Sequence, residues 1–315
     1  MNTWEAAQLS RREALCGALA AGAGALWSVP VLGAAGSALP LITKAIPGTG
    51  ERLPAIGLGT DKFQSDERAA IQAEIQRMQQ LGGTVIDTAA AYGDSESLIG
   101  EALAGSRDRM FLASKLTIGG RGFRGDGVGG QASFERSLMR LRTTKIDLLQ
   151  IHNLDGVDTL LPQLREWKQA GRIRYIGITT SRVGQHEDMI GYLRKYPLDF
   201  VQVDYSLDNR DAAQTLLPLA QERKVAVLAN VPFGFGNLLR QAQARKLPPW
   251  AADFDVTSWP QFLLKYVISH PAVTVAIPGS TQVAHLEDNQ AAAHGRLPDA
   301  AMRLRMEKYW DSGAA

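Results

Sequence analysis

Four side chains able to hold or move protons stand out: a carboxylate at Asp87, a phenol at Tyr92, an ammonium at Lys115 and an imidazole at His152. Taken singly, each has an ordinary explanation. An Asp after an apolar run is usually a helix cap, and a lone His after such a run is usually a satisfied structural residue. Their placement argues otherwise. Asp87 ends the run Thr84–Ile86 and leads through Thr88 to Tyr92-Gly93; Lys115 follows Met110–Ala113; His152 follows Ile146–Ile151. If these runs are consecutive parallel strands, all four side chains reach one mouth, where proton transfer can be built.

The elements needed to hold them there are legible. Eight short β-type runs occur, at Ala55–Leu58, Thr84–Ile86, Met110–Ala113, Ile146–Ile151, Tyr175–Ile178, Phe200–Val203, Val225–Leu228 and Val273–Ile277. Near-continuous apolar runs of this length fit strands buried on both faces. Helical patterns alternate with them, over Ser65–Gln80, Ser95–Ala104, Gln131–Leu141, Asp155–Gln169, Gly184–Lys195, Ala212–Glu222, Trp259–Ser269 and Val283–Ala293. In the first, Ala69, Ile71, Ile75, Met78 and Leu81 recur at helical spacing. The strand-then-helix alternation predicts an α/β chain folded as a (β/α)8 TIM barrel. A doubly wound open sheet is the structural alternative. Leu41–Ile46 and Arg52–Pro54 flank Gly48-Thr49-Gly50 and predict an N-terminal β-hairpin cap over the barrel bottom; Pro298–Trp310 predicts an extra C-terminal helix. Two long connections, Thr117–Gly130 with seven glycines and Asn230–Ser258, follow the third and seventh strands, where loops act as lids and pocket walls.

The residues at the strand ends also carry a resemblance. The segments GTVIDTAAAYGDSESLIGEAL, ASKL and FERSLMRLRTTKIDLLQIH, together with AIGLGT at Ala55–Thr60 and the later IPGSTQVAHLEDN, closely resemble the aldo-keto reductase family over roughly Leu41 to Ala293. The resemblance implies reduction of an aldehyde or ketone to an alcohol with a nicotinamide cofactor, usually NADPH. It implies Tyr92 as the acid that protonates the carbonyl oxygen. Lys115 would lower the pKa of that phenol, Asp87 would hold and balance Lys115, and His152 would orient the carbonyl. Tyr92, His152 and Phe63 are the expected substrate contacts.

The same resemblance assigns cofactor contacts. Gly59, Thr60 and Asp87 lie at the first two strand ends. Thr179, Thr180 and Gln202 would meet the nicotinamide amide, with Thr180 replacing the family's usual Asn. Pro232 and Phe233 follow the seventh strand, where the family often reads Ala-Tyr-Ser-Pro-Leu; this chain reads Ala229-Asn230-Val231-Pro232-Phe233, so the aromatic face that stacks on the nicotinamide is replaced by Asn230. Gly279, Ser280, Thr281 and Gln282 would meet the adenosine ribose region, and Asp288 and Asn289 the adenine. Gly279 and His285 stand where some members carry Lys and Arg, so NADH is the alternative cofactor. No GxGxxG follows a first strand, no GxxxxGK[ST] is present, and the remaining histidines lack ligand spacing, so no metal is expected.

The first 38 residues read as a separate segment, 1–38, ahead of a barrel over 39–315. Arg11-Arg12 precedes a small-residue apolar stretch that Pro30 interrupts, and small residues at Ala35–Ala38 suit a peptidase. This layout resembles a twin-arginine export signal, although Ala14 stands where Phe is usual. An uncleaved anchor and a short amphipathic helix are the alternatives. Removal would leave about 277 residues and take away Cys16, the only cysteine of the chain. A chain without thiols suits an oxidising compartment, so a periplasmic location is expected. A net charge of +2 without a long basic run gives no support for nucleic-acid or membrane-surface partners. The expected partners are a small carbonyl substrate and the twin-arginine export machinery, and the expected state is a monomer. Two other functions compete: a cofactor-binding sensor or regulatory subunit with little turnover, motivated by Asn230 and Thr180, and a barrel lyase or isomerase.

Overall fold

A computed structural model describes residues 39–117 and 129–313. The proposed signal segment 1–38 and most of the Gly-rich connection lie outside the described residues. The chain opens with an antiparallel hairpin of β1 (Thr43–Ala45) and β2 (Arg52–Pro54). Eight parallel strands follow: β3 (Leu58–Gly59), β4 (Val85–Asp87), β5 (Phe111–Leu116), β6 (Ile146–Ile151), β7 (Ile173–Thr179), β8 (Phe200–Asp204), β9 (Ala226–Asn230) and β10 (Val273–Ala276). They are hydrogen-bonded in sequence order, and parallel bridges Ile56–Ala276 and Gly59–Gly279 join the first to the last. The sheet is therefore closed, which is the (β/α)8 barrel, and the open-sheet alternative is excluded.

Each barrel strand leads to a helix packed outside: α1 (Arg68–Gln80), α2 (Ser95–Ala102), α3 (Gly130–Arg140), α4 (Val157–Gln169), α5 (His186–Lys195) and α6 (Leu216–Glu222) after β3 to β8. After β9 the chain adds a short α7 (Asn237–Ala242) before the barrel helix α8 (Trp259–Ser269), and β10 leads to α9 (Val283–Ala291). The extra C-terminal helix is α10 (Ala300–Asp311), capped by Asp299, which accepts from the Met302 amide. Several expected helices begin late because their first turns are 3-10 turns: Ser65–Glu67 before α1, Val183–Gln185 before α5 and Asp211–Ala213 ahead of α6. The expected strand Ala55–Leu58 is paired mainly at Leu58–Gly59 and at the Ile56 bridge. The connection 230–258 carries α7 and a 3-10 turn, Pro249–Phe254, rather than an open loop.

The barrel interior explains how the site is made. Side chains two apart on a strand share a face. Inward positions in the lower barrel are apolar: Val85, Phe111, Ala113, Leu148, Tyr175, Phe200, Ala226, Leu228, Val275 and Ile277 form one buried cluster. Ile46 and Leu53 of the hairpin join that cluster and plug its base, and Lys44 ties the hairpin to the His270 and Val273 carbonyls at 2.9 and 2.7 Å. On five of the strands the next inward position up is polar. Val85 is followed by Asp87, Ala113 by Lys115, Leu148 by Gln150, Phe200 by Gln202 and Leu228 by Asn230. The outward residues, such as Ile86, Leu112, Leu149, Ile176, Val201 and Val227, pack with the helices in the larger core. Each such apolar side chain contributes about 1.5–3 kcal/mol on burial, which fixes the strand faces and hence the polar ring above.

Candidate active site

The polar ring is a connected network. The Lys115 ammonium, 1% exposed, donates to Asp87 Oδ2 at 2.5 Å and to the Thr88 carbonyl at 2.8 Å. The other Asp87 oxygen accepts from Gln202 Nε2 at 2.8 Å and from Gln150 Nε2 at 3.3 Å. Lys115 Nζ also lies 4.9 Å from the centre of the Tyr92 ring. Tyr92 and His152 meet edge to face with ring centres 5.7 Å apart, and His152 Nδ1 shares a hydrogen bond of 3.1 Å with Thr117 Oγ1. Asp87, Tyr92, Lys115 and His152 are thus brought together, as their strand positions predict.

The turn carrying Tyr92 is held from below by hydroxyls. Thr60 Oγ1 donates to the Asp87 carbonyl at 3.0 Å, Ser95 Oγ donates to Thr60 Oγ1 at 2.8 Å, and Thr88 and Ser95 hydroxyls are 2.9 Å apart. This chain links the end of β3, the end of β4 and the start of α2, so the phenol leaves a fixed backbone. Sequence reasoning named Thr60 as a cofactor contact; in the structure its hydroxyl braces Asp87.

The electrostatics follow from burial and from the Lys115–Asp87 pair. Burial pulls the Lys115 ammonium down, but Asp87 and Tyr92 outweigh it and hold its pKa above the ordinary lysine value. Burial pushes the Tyr92 phenol up, and the opposing pull of Lys115 does not overcome it, so the net shift is upward. The sequence leads one to expect a lowered phenol. The structure corrects the net direction because the cost of burial at this half-buried ring outweighs the pull of Lys115, a balance absent from residue spacing. Tyr92 is therefore a phenol that keeps its proton at neutral pH, with an ammonium beside it to stabilise the phenolate once the proton leaves. Burial, then Lys115, pushes His152 down to about 3, so its imidazole is neutral and offers one donor and one acceptor.

The expected nicotinamide contacts lie around the same mouth, with their polar atoms already engaged. Thr179 Oγ1 donates to Gln202 Oε1 at 2.9 Å, and Thr180 Oγ1 donates to Gln185 Oε1 at 2.6 Å. Asn230 Nδ2 donates to the Thr180 carbonyl at 2.9 Å, which leaves Asn230 Oδ1 shielded from water and without a hydrogen-bond partner. Pro232 is buried, Phe233 is half-buried against the core, and Phe235 is 76% exposed with φ 53° in the left-handed region. Phe63 is 1% exposed within the main core.

At the far end, Gly59 and Gly279 form the closing bridge, and Gly279 is exposed just ahead of the α9 N-terminus. A Cβ on Gly279 would sit 3.3 Å from Asp61 Oδ1, so glycine leaves this approach open. Ser280 is buried and closes a turn onto Gln282, while Thr281 is half-buried and Gln282 exposed. The approach at Gly279, the helix end and the orphaned Asn230 acceptor fit a dinucleotide laid from the mouth to α9. Asp288 accepts from Ser258 Oγ and Gln261 Nε2 of α8 at 2.7 and 2.6 Å, and Asn289 beside it is buried.

Gln150, Gln185 and Ser95 are network members that sequence reasoning did not name. Gln150 carried a usable signal, being a polar residue two before His152, on the same strand face. At the barrel's other end a cavity of about 670 Å³ is lined by Arg107, Asp147, Arg172 and Arg174 among others. Three of its guanidinium groups are paired with carboxylates: Arg107 and Arg174 with Asp147, and Arg172 with Glu135. Beside it the Tyr175 hydroxyl donates to Glu51 at 2.6 Å, and Glu51 also pairs with Arg174.

A closed barrel with a Tyr–Lys–Asp–His cluster at the C-terminal strand ends is the arrangement of an oxidoreductase. The chain matches the Aldo/keto reductase family over residues 55–309, and it belongs to that family. It is 30% identical to methylglyoxal reductase YeaE of Escherichia coli over 271 residues, covering 82% of this chain and 91% of that protein. Among solved structures it is similar to an aldo/keto reductase from Klebsiella pneumoniae in complex with NADP and acetate, with TM-score 0.72 and 28% identity over 86% of this chain and 96% of that one. It is also similar to the holo form of an aldo-keto reductase from Bacillus halodurans, with TM-score 0.71 and 25% identity over 85% and 96%.

Proposed function

We propose that the chain is an exported, NADPH-dependent carbonyl reductase that converts an aldehyde or ketone into an alcohol, with Tyr92 as proton donor. The observation that carries this reading is the Lys115 ammonium, fixed by Asp87 and set over the Tyr92 ring. When bound, the cofactor would supply the hydride. Negative charge then develops on the carbonyl oxygen. Tyr92 donates its proton to that oxygen, and Lys115 stabilises the phenolate left behind. Neutral His152 donates a hydrogen bond to the same oxygen and orients the carbonyl. Thr179, Thr180, Gln202 and Asn230 would hold the nicotinamide end, Gly279 to Gln282 the ribose region, and Asp288 and Asn289 the adenine. The Klebsiella pneumoniae neighbours bound to NADP and to NADPH, and the name of the Escherichia coli relative, support both halves of the reaction.

Export would follow from Arg11-Arg12 and the apolar stretch behind it, leaving a barrel without Cys16. Folded passage through a twin-arginine translocon would let the protein take up its cofactor before leaving the cytoplasm. The test is tryptophan-fluorescence quenching by NADPH. Micromolar binding, with NADH weaker, supports the reading, and no quenching by either nucleotide sinks it. A second reading, a cofactor-binding sensor with little turnover, is favoured by the missing aromatic at Asn230 and by the internally paired Thr179 and Thr180. Stopped-flow mixing of the NADPH-bound protein with 4-nitrobenzaldehyde separates the two: the reductase oxidises its cofactor and the sensor does not.

A further inference from the structure

Gln150 is fully buried and lies beside Lys115 across the β5–β6 ladder. Below it on the same face is Leu148, and above it is His152, so an apolar residue here would extend the lower layer. Gln150 instead directs Nε2 at Asp87 Oδ1, the oxygen that also receives Gln202. The amide must point this way, because its carbonyl oxygen would be repelled by the carboxylate. That orientation leaves Gln150 Oε1 buried and without a hydrogen-bond partner. Leucine would avoid the cost of that orphan. Space for the stem comes from Gly177, where a Cβ would lie 3.0 Å from Gln150 Cγ. A polar side chain kept at this cost, in room made for it, is there for its donor.

We propose that Gln150 is a positioning residue for proton transfer from Tyr92, acting with Gln202 as a pair of carboxamides that fix the Asp87 carboxylate behind Lys115. The inference rests on the carbonyl-reductase reading above. With Oδ1 held by two amides, Oδ2 stays directed at Nζ. Lys115 is then kept as an ammonium over the phenol. The amide donors also draw charge from Asp87, weakening the negative potential that opposes phenolate formation at Tyr92. Losing one of them raises the Tyr92 pKa and slows proton donation.

The test compares Gln150→Leu and Gln150→Glu in the full-length chain, reading kcat for 4-nitrobenzaldehyde against pH, the NADPH Kd and circular dichroism. For Gln150→Leu the expected results are a kcat lower by about tenfold, a basic limb displaced upward by about half a pH unit, and a Kd within about twofold of wild type. Glutamic acid next to Asp87 stays protonated and still donates, so Gln150→Glu recovers most of the rate. A folded Gln150→Leu with wild-type kcat and an unmoved limb overturns the inference. So does a rate loss that tracks a weakened NADPH Kd, which would make Gln150 a cofactor contact. If Gln150→Leu does not fold, Gln150→Glu decides: near-wild-type kcat supports the donor role, and a large loss with the limb in place overturns it. A wild type that binds NADPH but reduces no carbonyl removes the reading above and this inference with it.

Discussion

Replacing Lys115 by methionine separates two jobs done by one charge. The ammonium lies 4.9 Å from the Tyr92 ring centre. Taking the ring-centre distance for the charge separation and an effective dielectric constant near 20, it stabilises a phenolate by roughly 3 kcal/mol. That is about two decades in the proton-transfer step. The same ammonium compensates Asp87, which is 3% exposed, and stranding a buried carboxylate costs about 3–5 kcal/mol of stability. Lys115→Met is therefore expected to lose both rate and stability. In the double variant Lys115→Met/Asp87→Asn, the amide oxygen still accepts from Gln150 and Gln202 and no buried charge remains. Most of the stability returns, and the rate does not. The assays are urea unfolding and single-turnover oxidation of bound NADPH by 4-nitrobenzaldehyde. A single variant as stable as the double, or a Lys115→Met rate within about threefold of wild type, refutes the electrostatic account.

Other outcomes follow from the same geometry. Tyr92→Phe should bind NADPH normally and lose about 10²–10⁴-fold in single-turnover rate, because a general acid is removed while the pocket shape is kept. His152 is neutral when folded, with a pKa of about 3 against 6.5 when free, so its contribution to stability is complete above pH 6.5 and is lost as pH falls from there toward 3. NMR of the His152 ring should accordingly show no titration between pH 5 and 8, and a midpoint near 6 would contradict the burial argument. Gly100→Ala places a Cβ 2.4 Å from the Arg140 carbonyl where α2 meets the end of α3, and thermal denaturation should report a loss of about 1–3 kcal/mol. Changing Arg11 and Arg12 together to Lys should leave the protein in the cytoplasm on cell fractionation; unchanged periplasmic recovery would remove the twin-arginine assignment.

The barrel and its reactive cluster were legible because both rest on local patterns. Strand runs such as Ile146–Ile151 are mostly apolar, and Asp87, Lys115 and His152 stand at or just beyond their C-terminal ends, which face the mouth. Asp87, Lys115 and His152 are legible for that reason. What sequence could not show depends on depth and on contacts between distant segments. The upward shift of Tyr92 comes from desolvation by residues far along the chain. Thr60 and Gln202 look like free contacts in the sequence, but their hydrogen bonds to Asp87 span 27 and 115 residues. The helix starts at Arg68 and His186 were missed because the preceding 3-10 turns, Ser65–Glu67 and Val183–Gln185, are too short to show a period of their own. The loss of an aromatic at Asn230 was visible, but its hydrogen bond to the Thr180 carbonyl, which leaves its acceptor oxygen buried and unpaired, was not.

The central claim is that hydride passes to a carbonyl while Tyr92 delivers the proton. It is tested most directly by loading the purified protein with NADPH deuterated at the transferring C4 position and adding excess 4-nitrobenzaldehyde. The account predicts one deuterium on the carbinol carbon of the alcohol formed, with transfer nearly abolished in Tyr92→Phe. Bound cofactor that keeps its deuterium across a panel of aldehydes and ketones would contradict it and leave the sensor reading standing.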